Sequence, residues 1–316
     1  MFRTVYQHTI RSNFSVVGVG VHSGATATLT VKPAAANTGI VFVRTDIQDK
    51  NNVIPAKWDN VCDTRLCTVL KNAEGATVST VEHVLSAFAA LGLDNAIVDI
   101  DGPEIPIMDG SAIDFVNAIY NAGLERQNAP RKAIRIKKMV SYQEGDKEAF
   151  LSPADGTYFG FEIHFDNQLI GRQKHTHELS EDAYRRDIAS ARTFGFLHEV
   201  EALRKMGLAR GGSLDNAIVV DGDRVLNPGG LRFKNEFVRH KILDAIGDLY
   251  LVGARIIGHY HGVKAGHAMN NKILHVLFAQ PDAFEVVDLA KTADAPAPQN
   301  SFATVLKQAE VQTVTA

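Results

Sequence analysis

Residues 236–253 read EFVRHKILDAIGDLYLVG. On a helical wheel of about 3.6 residues per turn, Val238, Ile242, Ala245, Ile246, Leu249 and Tyr250 share one broad apolar face, the mark of a helix packed on a core. Opposite them, His240, Lys241, Asp244 and Asp248 gather in one quadrant, with His240 one turn before Asp244. An imidazole and a carboxylate placed in this way can converge on one point, as metal ligands do. The same spacing also describes a plain solvated face, because HxxxD alone is a weak pattern.

Working outward, a second helix is predicted in STVEHVLSAFAALGLDN, residues 79–95. Ser79 stands three before Glu82 as in a capping box, Val81, Val84, Leu85, Phe88 and Leu91 recur at helical spacing, and Gly92 supplies a stop. His83 falls in its first turns. Before it, TVYQHTI, FSVVGVGVHSG, ATATLTVKPA, GIVFVRTDI, VIPAKWDNV and TRLCTVL are β-branched runs punctuated by Gly, Pro and Asn, as strands joined by turns are. After it come a strand, AIVDIDG, and a helix from about Ser111 to Ala122. The polar stretch ERQNAPRKA contains Pro130 and has no periodicity, which places a domain boundary at 128/129.

The pattern then restarts. AIRIKKMVSYQ, KEAFLSP and YFGFEIHF read as strands, LSEDAYRRDIASA and FLHEVEALRKMGL as helices, and AIVVDGDRVLN as a strand pair with a DG turn. The helix at 236 follows, then strands through ARIIGHYHGVKAG and KILHVLFA, and a tail rich in Ala, Pro and small polar residues that is expected to be mobile. Each half is thus a run of strands followed by a long amphipathic helix carrying histidine and acids. That order predicts a duplicated α+β unit, residues 1–128 and 129–316, in place of alternating β-α-β repeats.

Composition excludes several classes. The 316 residues suffice for two domains, and the net charge of −3 comes from intermixed acids and bases with no basic run, so no nucleic-acid partner is expected. No apolar run reaches membrane-span length, and MFRTVYQHTI lacks a signal-peptide apolar region, so the expected location is the cytoplasm. Cys62 and Cys67 are too few for a disulfide framework or a cysteine-rich zinc site.

Three groups can carry chemistry. Glu82 and His83 are adjacent on a helix, about 100° apart, so one can bind an ion while the other reaches past it. Glu82 also has a local reading as the capping partner of Ser79. His83, His240 and Asp244 would make a mixed N/O set suited to zinc with one position open, or equally to iron(II). In GHAMNNK, His267 lies in a strand-to-loop context; Asp248, one turn beyond Asp244, can hold its imidazole as a charged acid, the plainer reading being a surface histidine.

TVEH at 80–83, PEIPIMDGSA at 103–112, ARTFGF at 191–196, LNPGGLRFKNEFVRHKILDAIGDL at 226–249 and GHAMNNK at 266–272 resemble, in order, the signature segments of the UDP-3-O-acyl-N-acetylglucosamine deacetylases. That family comprises metal-dependent amidases of lipid A biosynthesis in Gram-negative bacteria. The resemblance runs from GVGVHSG near the start to GHAMNNK. It implies an α+β fold of two similar domains, each a mainly antiparallel sheet with two helices, the helices sandwiched between the two sheets.

The resemblance further implies zinc, with iron(II) as the other occupant, held by His83, His240 and Asp244. Glu82 would be the general base toward the attacking water. His267, oriented by Asp248, would be the general acid or cationic stabiliser, and Thr193 would offer its hydroxyl to the oxyanion. Lys241 would lie near the substrate's polar head or diphosphate, and Lys147 and Phe165 match nucleotide-contacting positions. Phe194, Val200, Leu214 and Val219, in a βαβ insertion over about 194–228, would line an acyl passage, their plainer role being a small local core; Ala209 and Leu214 depart from the enterobacterial pattern. Cys67 would neighbour the metal without binding it. The expected substrate is a UDP-sugar carrying an acyl chain. The protein is expected to act as a monomer, either free in the cytoplasm or peripheral to the inner membrane. Two rival classes share parts of this pattern: an iron(II) oxygenase, which predicts a cupin-like barrel and a 2-oxo acid cosubstrate, and an inactive nucleotide-sugar-binding protein, which predicts a broken set of site residues.

Overall fold

A computed structural model of the chain describes residues 4–292. Alternation builds its first sheet. In Thr26–Pro33, Ala27, Leu29 and Val31 are buried while the residues between them are partly exposed. The strand order is Phe14–Val19, Thr26–Pro33, Ala96–Ile100, Ile40–Arg44, Val53–Pro55, antiparallel except between Ala96–Ile100 and Ile40–Arg44. The second sheet has seven strands centred on Arg255–Val263. Lys132–Ile136 and Thr157–His164 run parallel to that strand and Lys147–Ser152 antiparallel.

The six main helices are α1 (Glu82–Leu91), α2 (Ile113–Ala122), α3 (Glu181–Asp187), α4 (Leu197–Lys205), α5 (Glu236–Tyr250) and α6 (His267–Phe278). In the first half α1 feeds the central strand Ala96–Ile100, which feeds α2; in the second, α5 feeds Arg255–Val263, which feeds α6. The fold is therefore α+β with two similar domains, as expected. α1 lies against α5, α5 against Thr157–His164, and α6 against Val140–Glu144, so the helices form the inner layer. One core cluster joins Phe42 and Val98 of the first sheet, Phe88 of α1, Ile246 of α5 and Phe159 of the second sheet. Between α3 and α5, Phe194–Phe196, α4 and Ile218–Asp221 make a β-α-β unit with parallel pairing of Phe194 to Ile218.

Four local readings are corrected. Ser79 does not cap α1: it ends the strand Thr77–Ser79, where its amide and hydroxyl both donate to the Pro103 carbonyl, and Val81 takes the cap position with no side-chain bond. The strand ladder has claimed the groups a cap would use. The aperiodic stretch ERQNAPRKA is largely strand, Leu124–Pro130 pairing antiparallel with Tyr6–Ile10. It lies mostly exposed, so no apolar alternation marks it. KILHVLFA belongs to α6, whose buried Met269, Ile273, Leu274 and Leu277 recur at helical spacing. Lastly, the polar quadrant of α5 is not solvated: His240, Asp244 and Asp248 are each 2% exposed. Among the described residues no helix is long and apolar enough to cross a membrane. The tail expected to be mobile lies outside the described residues from 293 onward.

Candidate active site

α1 and α5 cross where Gly247 has no side chain. A Cβ there would meet the Glu82 carbonyl oxygen at 1.9 Å, so only glycine lets the two backbones approach this closely. The crossing sets the first turn of α1 against the polar quadrant of α5.

His83 from α1 and His240 and Asp244 from α5 place one ligand atom each within 4.8 Å of the others. Asp244 Oδ1 lies 3.2 Å from His240 Nε2 and 3.6 Å from His83 Nε2. That oxygen is buried with no hydrogen-bond partner, a costly state for a lone carboxylate oxygen unless a cation sits against it. Burial pushes the His240 imidazole down to about 3, which keeps it neutral with a lone pair to give. Its Nδ1 donates to the Ala191 carbonyl at 3.0 Å, leaving Nε2 as the free acceptor. Burial opposes ionisation of Asp244, but His240 and Lys241 hold it well below the usual carboxylate range. Lys241 Nζ donates to Asp244 Oδ2 at 2.5 Å; burial disfavours its charge, which Asp244 more than restores. Two imidazoles and one carboxylate, all buried, with Asp244 Oδ1 left without a hydrogen-bond partner, fit a divalent metal.

Beside this group lies an acid–base pair. Glu82 Oε1 stands 3.8 Å from His267 Nε2, and His267 Nδ1 donates to Asp248 Oδ2 at 2.8 Å. His267 is the first residue of α6 and does not lie in a loop. Burial opposes its charge, yet Asp248 and Glu82 raise it to about 9. Burial also raises the Glu82 carboxyl, with Asp248 and Asp244 adding to the effect and His267 opposing it.

The remaining positions separate. Phe194 packs on Phe237 (4.9 Å between ring centroids) and reaches His240 (6.4 Å), and Phe165 packs on Phe194 (5.7 Å). These rings form one aromatic wall beside the ligands. Val200 covers Gly195, Val219 is buried opposite Gly195 in the parallel pair, and Leu214 is 42% exposed. Thr193 is fixed by its backbone, its amide donating to Gly110 and its carbonyl accepting from Ile218. Lys147 lies exposed at the hairpin tip, at the end of the sheet where Val263 leads through Lys264–Gly266 into His267. Cys67 is buried, outside the ligand group, and burial pushes its thiol up.

Several supporting residues escape sequence reasoning. Glu104 accepts the amides of His22 (2.9 Å) and Ser23 (2.7 Å) and the Thr80 hydroxyl (3.1 Å), tying the GVGVHSG loop to the start of α1. Glu236 accepts from the Arg192 backbone and side chain and from the Arg232 amide, fixing the segment that carries the Ala191 carbonyl. Thr68 and Asn270 donate to Asp248. Isolated polar residues in unrelated segments give no spacing signal, and only the fold joins them.

The family model for "LpxC: UDP-3-O-acyl N-acetylglycosamine deacetylase" matches residues 7–279. The chain belongs to this family. A protein named UDP-3-O-acyl-N-acetylglucosamine deacetylase from Phenylobacterium zucineum is 53% identical over 287 residues, covering 91% of this chain and 98% of that one. Proteins of the same name from Shewanella oneidensis and Shewanella violacea are 49% and 48% identical over 294 residues, each covering 92% of this chain and 96% of its own. The family resemblance read from the five signature segments therefore extends across most of the chain.

Proposed function

We propose that the chain is a zinc-dependent deacetylase that hydrolyses the N-acetyl group of UDP-3-O-(3-hydroxyacyl)-N-acetylglucosamine, yielding acetate and the free amine, the committed step of lipid A biosynthesis. It would act in the cytoplasm. The observation that carries this reading is the buried meeting of His83, His240 and Asp244 beside an acid–base pair 3.8 Å apart. Zinc held by those three residues would supply Lewis-acid polarisation of the amide and acidification of water.

The chain's own groups divide the proton traffic. Glu82 takes a proton from the attacking water as its oxygen adds to the acetyl carbon. His267, held as a cation by Asp248, gives its proton to the departing nitrogen as the C–N bond breaks. Thr193 and the Lys241 ammonium face the charge that develops on the carbonyl oxygen and the substrate head. Phe194, Val200, Leu214 and Val219 take the acyl chain, and Phe165 and Lys147 the nucleotide.

The test is metal analysis of the purified protein together with acetate release from the UDP-sugar under anaerobic conditions. Glu82→Ala should keep its metal and lose about two to four orders of magnitude in turnover; His240→Ala should lose both. Near-parental turnover in Glu82→Ala would remove the assigned base, and an absolute need for oxygen would remove hydrolysis.

A further inference from the structure

Thr68 touches both halves of the acid–base pair. Its amide donates to Glu82 Oε2 at 3.1 Å, its hydroxyl donates to Asp248 Oδ1 at 2.5 Å, and its carbonyl accepts from the Val81 amide at 3.5 Å. The residue is 1% exposed, so these bonds have no water to replace them. The chemistry uses the other oxygen of each carboxylate: Glu82 Oε1 faces His267 Nε2, and Asp248 Oδ2 accepts from His267 Nδ1. Thr68 thus holds the rear oxygen of both acids and turns the front oxygen of each toward one imidazole. It comes from the N-terminal half just before the strand Val69–Lys71, whereas Asp248 and His267 come from α5 and α6.

We propose that Thr68 is a positioning residue that aligns base and acid across the two domains, an inference that rests on the deacetylase reading for its kinetic consequence. Asn270 shares the task on one side only: its Nδ2 donates to Asp248 Oδ2 at 2.8 Å, and the Tyr260 hydroxyl donates to its Oδ1. With the Thr68 hydroxyl removed, Asp248 can rotate about its Asn270 bond and the His267 ring loses its fixed heading. That hydroxyl makes no hydrogen bond to His83, His240 or Asp244, and its loss without a change of side-chain shape leaves α1 seated on α5, so metal content should stay parental.

Thr68→Val keeps shape and both backbone bonds and deletes only the hydroxyl; Thr68→Ser restores it. The expected result is a fall in kcat of about 10–100-fold in Thr68→Val. KM should stay within about twofold of the parent, with parental metal content, and Thr68→Ser should recover most of the rate. A readout independent of turnover is the downfield His267 Nδ1 proton resonance, present in the parent and Thr68→Ser and shifted or broadened away in Thr68→Val. Parental kcat and an unmoved resonance in Thr68→Val would overturn the inference, as would equal loss in Thr68→Ser. A parent that binds metal, shows the resonance and releases no acetate would instead sink the deacetylase reading, while the resonance still judges Thr68.

Discussion

Replacing Gly247 by alanine adds one methyl group at the crossing of α1 and α5. On local grounds the change should help, because alanine is favoured over glycine inside a helix by about 1 kcal/mol. The crossing reverses this. The new Cβ would lie 1.9 Å from the Glu82 carbonyl oxygen and 2.7 Å from its carbon, both backbone atoms that cannot rotate away. Ordinary contact begins at 3.4 Å, so the helices must part by about 1.5 Å at that point. Overpacking of this kind costs about 1–3 kcal/mol, leaving a net loss of stability of about 0–2 kcal/mol. The effect on chemistry should be larger. His83 and Asp244 now hold their ligand atoms 3.6 Å apart across this crossing, and Glu82 of α1 stands 3.8 Å from His267 of α6. Moving α1 away widens both gaps, and a misplacement of about 1 Å is enough for a loss of about 100-fold in rate. Urea unfolding, zinc stoichiometry and kcat should therefore dissociate: a modest shift in midpoint, weaker metal binding and a rate at or below one hundredth of the parent's. A Gly247→Ala protein with parental kcat and metal affinity would show that the crossing is loose, and the argument from close approach would fail.

Other perturbations test separate parts of the structure. Glu236→Ala strips the partner from the buried Arg192 guanidinium and should destabilise by about 3–5 kcal/mol in urea melts. It should also weaken zinc binding, because the Ala191 carbonyl that orients His240 is freed. His177 is buried with its Nε2 unpartnered, and burial, helped by His175, pushes it down to about 4. Above pH about 6.5 it is neutral in both states; between about 6.5 and 4 only the unfolded chain takes up the proton, so stability falls as pH drops through that window. His177→Phe should flatten the decline, seen as a smaller shift of the urea midpoint between pH 7 and pH 5. Stripping the metal with a chelator should lower Tm, and zinc at about a thousandfold over its Kd should restore about 4 kcal/mol; an unchanged Tm would mean that the three ligands do not share an ion.

The strands and α1, α2 and α5 were legible because each shows its period along a single face, as Thr26–Pro33 and Glu236–Tyr250 do. The metal group was half legible. HxxxD in α5 fixed His240 and Asp244 one turn apart, but nothing in residues 236–253 points to His83; it joined them as the histidine in the first turns of the other amphipathic helix, and the family resemblance then implied it as a ligand. Where the reading erred outside α6, burial or pairing was carried by something other than apolar periodicity. Leu124–Pro130 is a strand held by its ladder with Tyr6–Ile10, Ser79 spent its hydrogen bonds on Pro103, and α6 hid because its apolar positions were read as a strand. In the quadrant of α5 that looked ready for water, His240, Asp244 and Asp248 are buried, since its partner surface comes from a domain more than a hundred residues upstream. Thr68, Glu104 and Gly247 lie beyond any local pattern: Thr68 and Gly247 are each defined by a contact with the other half of the molecule, and Glu104 by donors from separate segments of its own half.

That division of labour has a consequence for how the two domains stay docked. One ligand and the base come from α1, two ligands and the orienting carboxylate from α5, and the acid from α6, so no single domain can assemble the site. The same crossing also buries Glu82, His240, Asp244 and Asp248 together, and such groups are unfavourable inside a protein unless paired. Without a cation, Asp244 Oδ1 remains unpaired at the seam. Docking and ion binding therefore favour each other: the ion relieves the carboxylate that the seam buries, and the seam holds His83 within reach of the ion. A substitution that loosens the seam at a distance from every ligand should weaken metal binding. Trp58 is one such place: it stacks on Phe278 at 4.8 Å, and its carbonyl accepts from Asn271 of α6. Trp58→Ala should therefore lower zinc affinity measurably while leaving every ligand and both catalytic side chains in the sequence. Parental affinity in that variant would mean that docking and metal binding are independent.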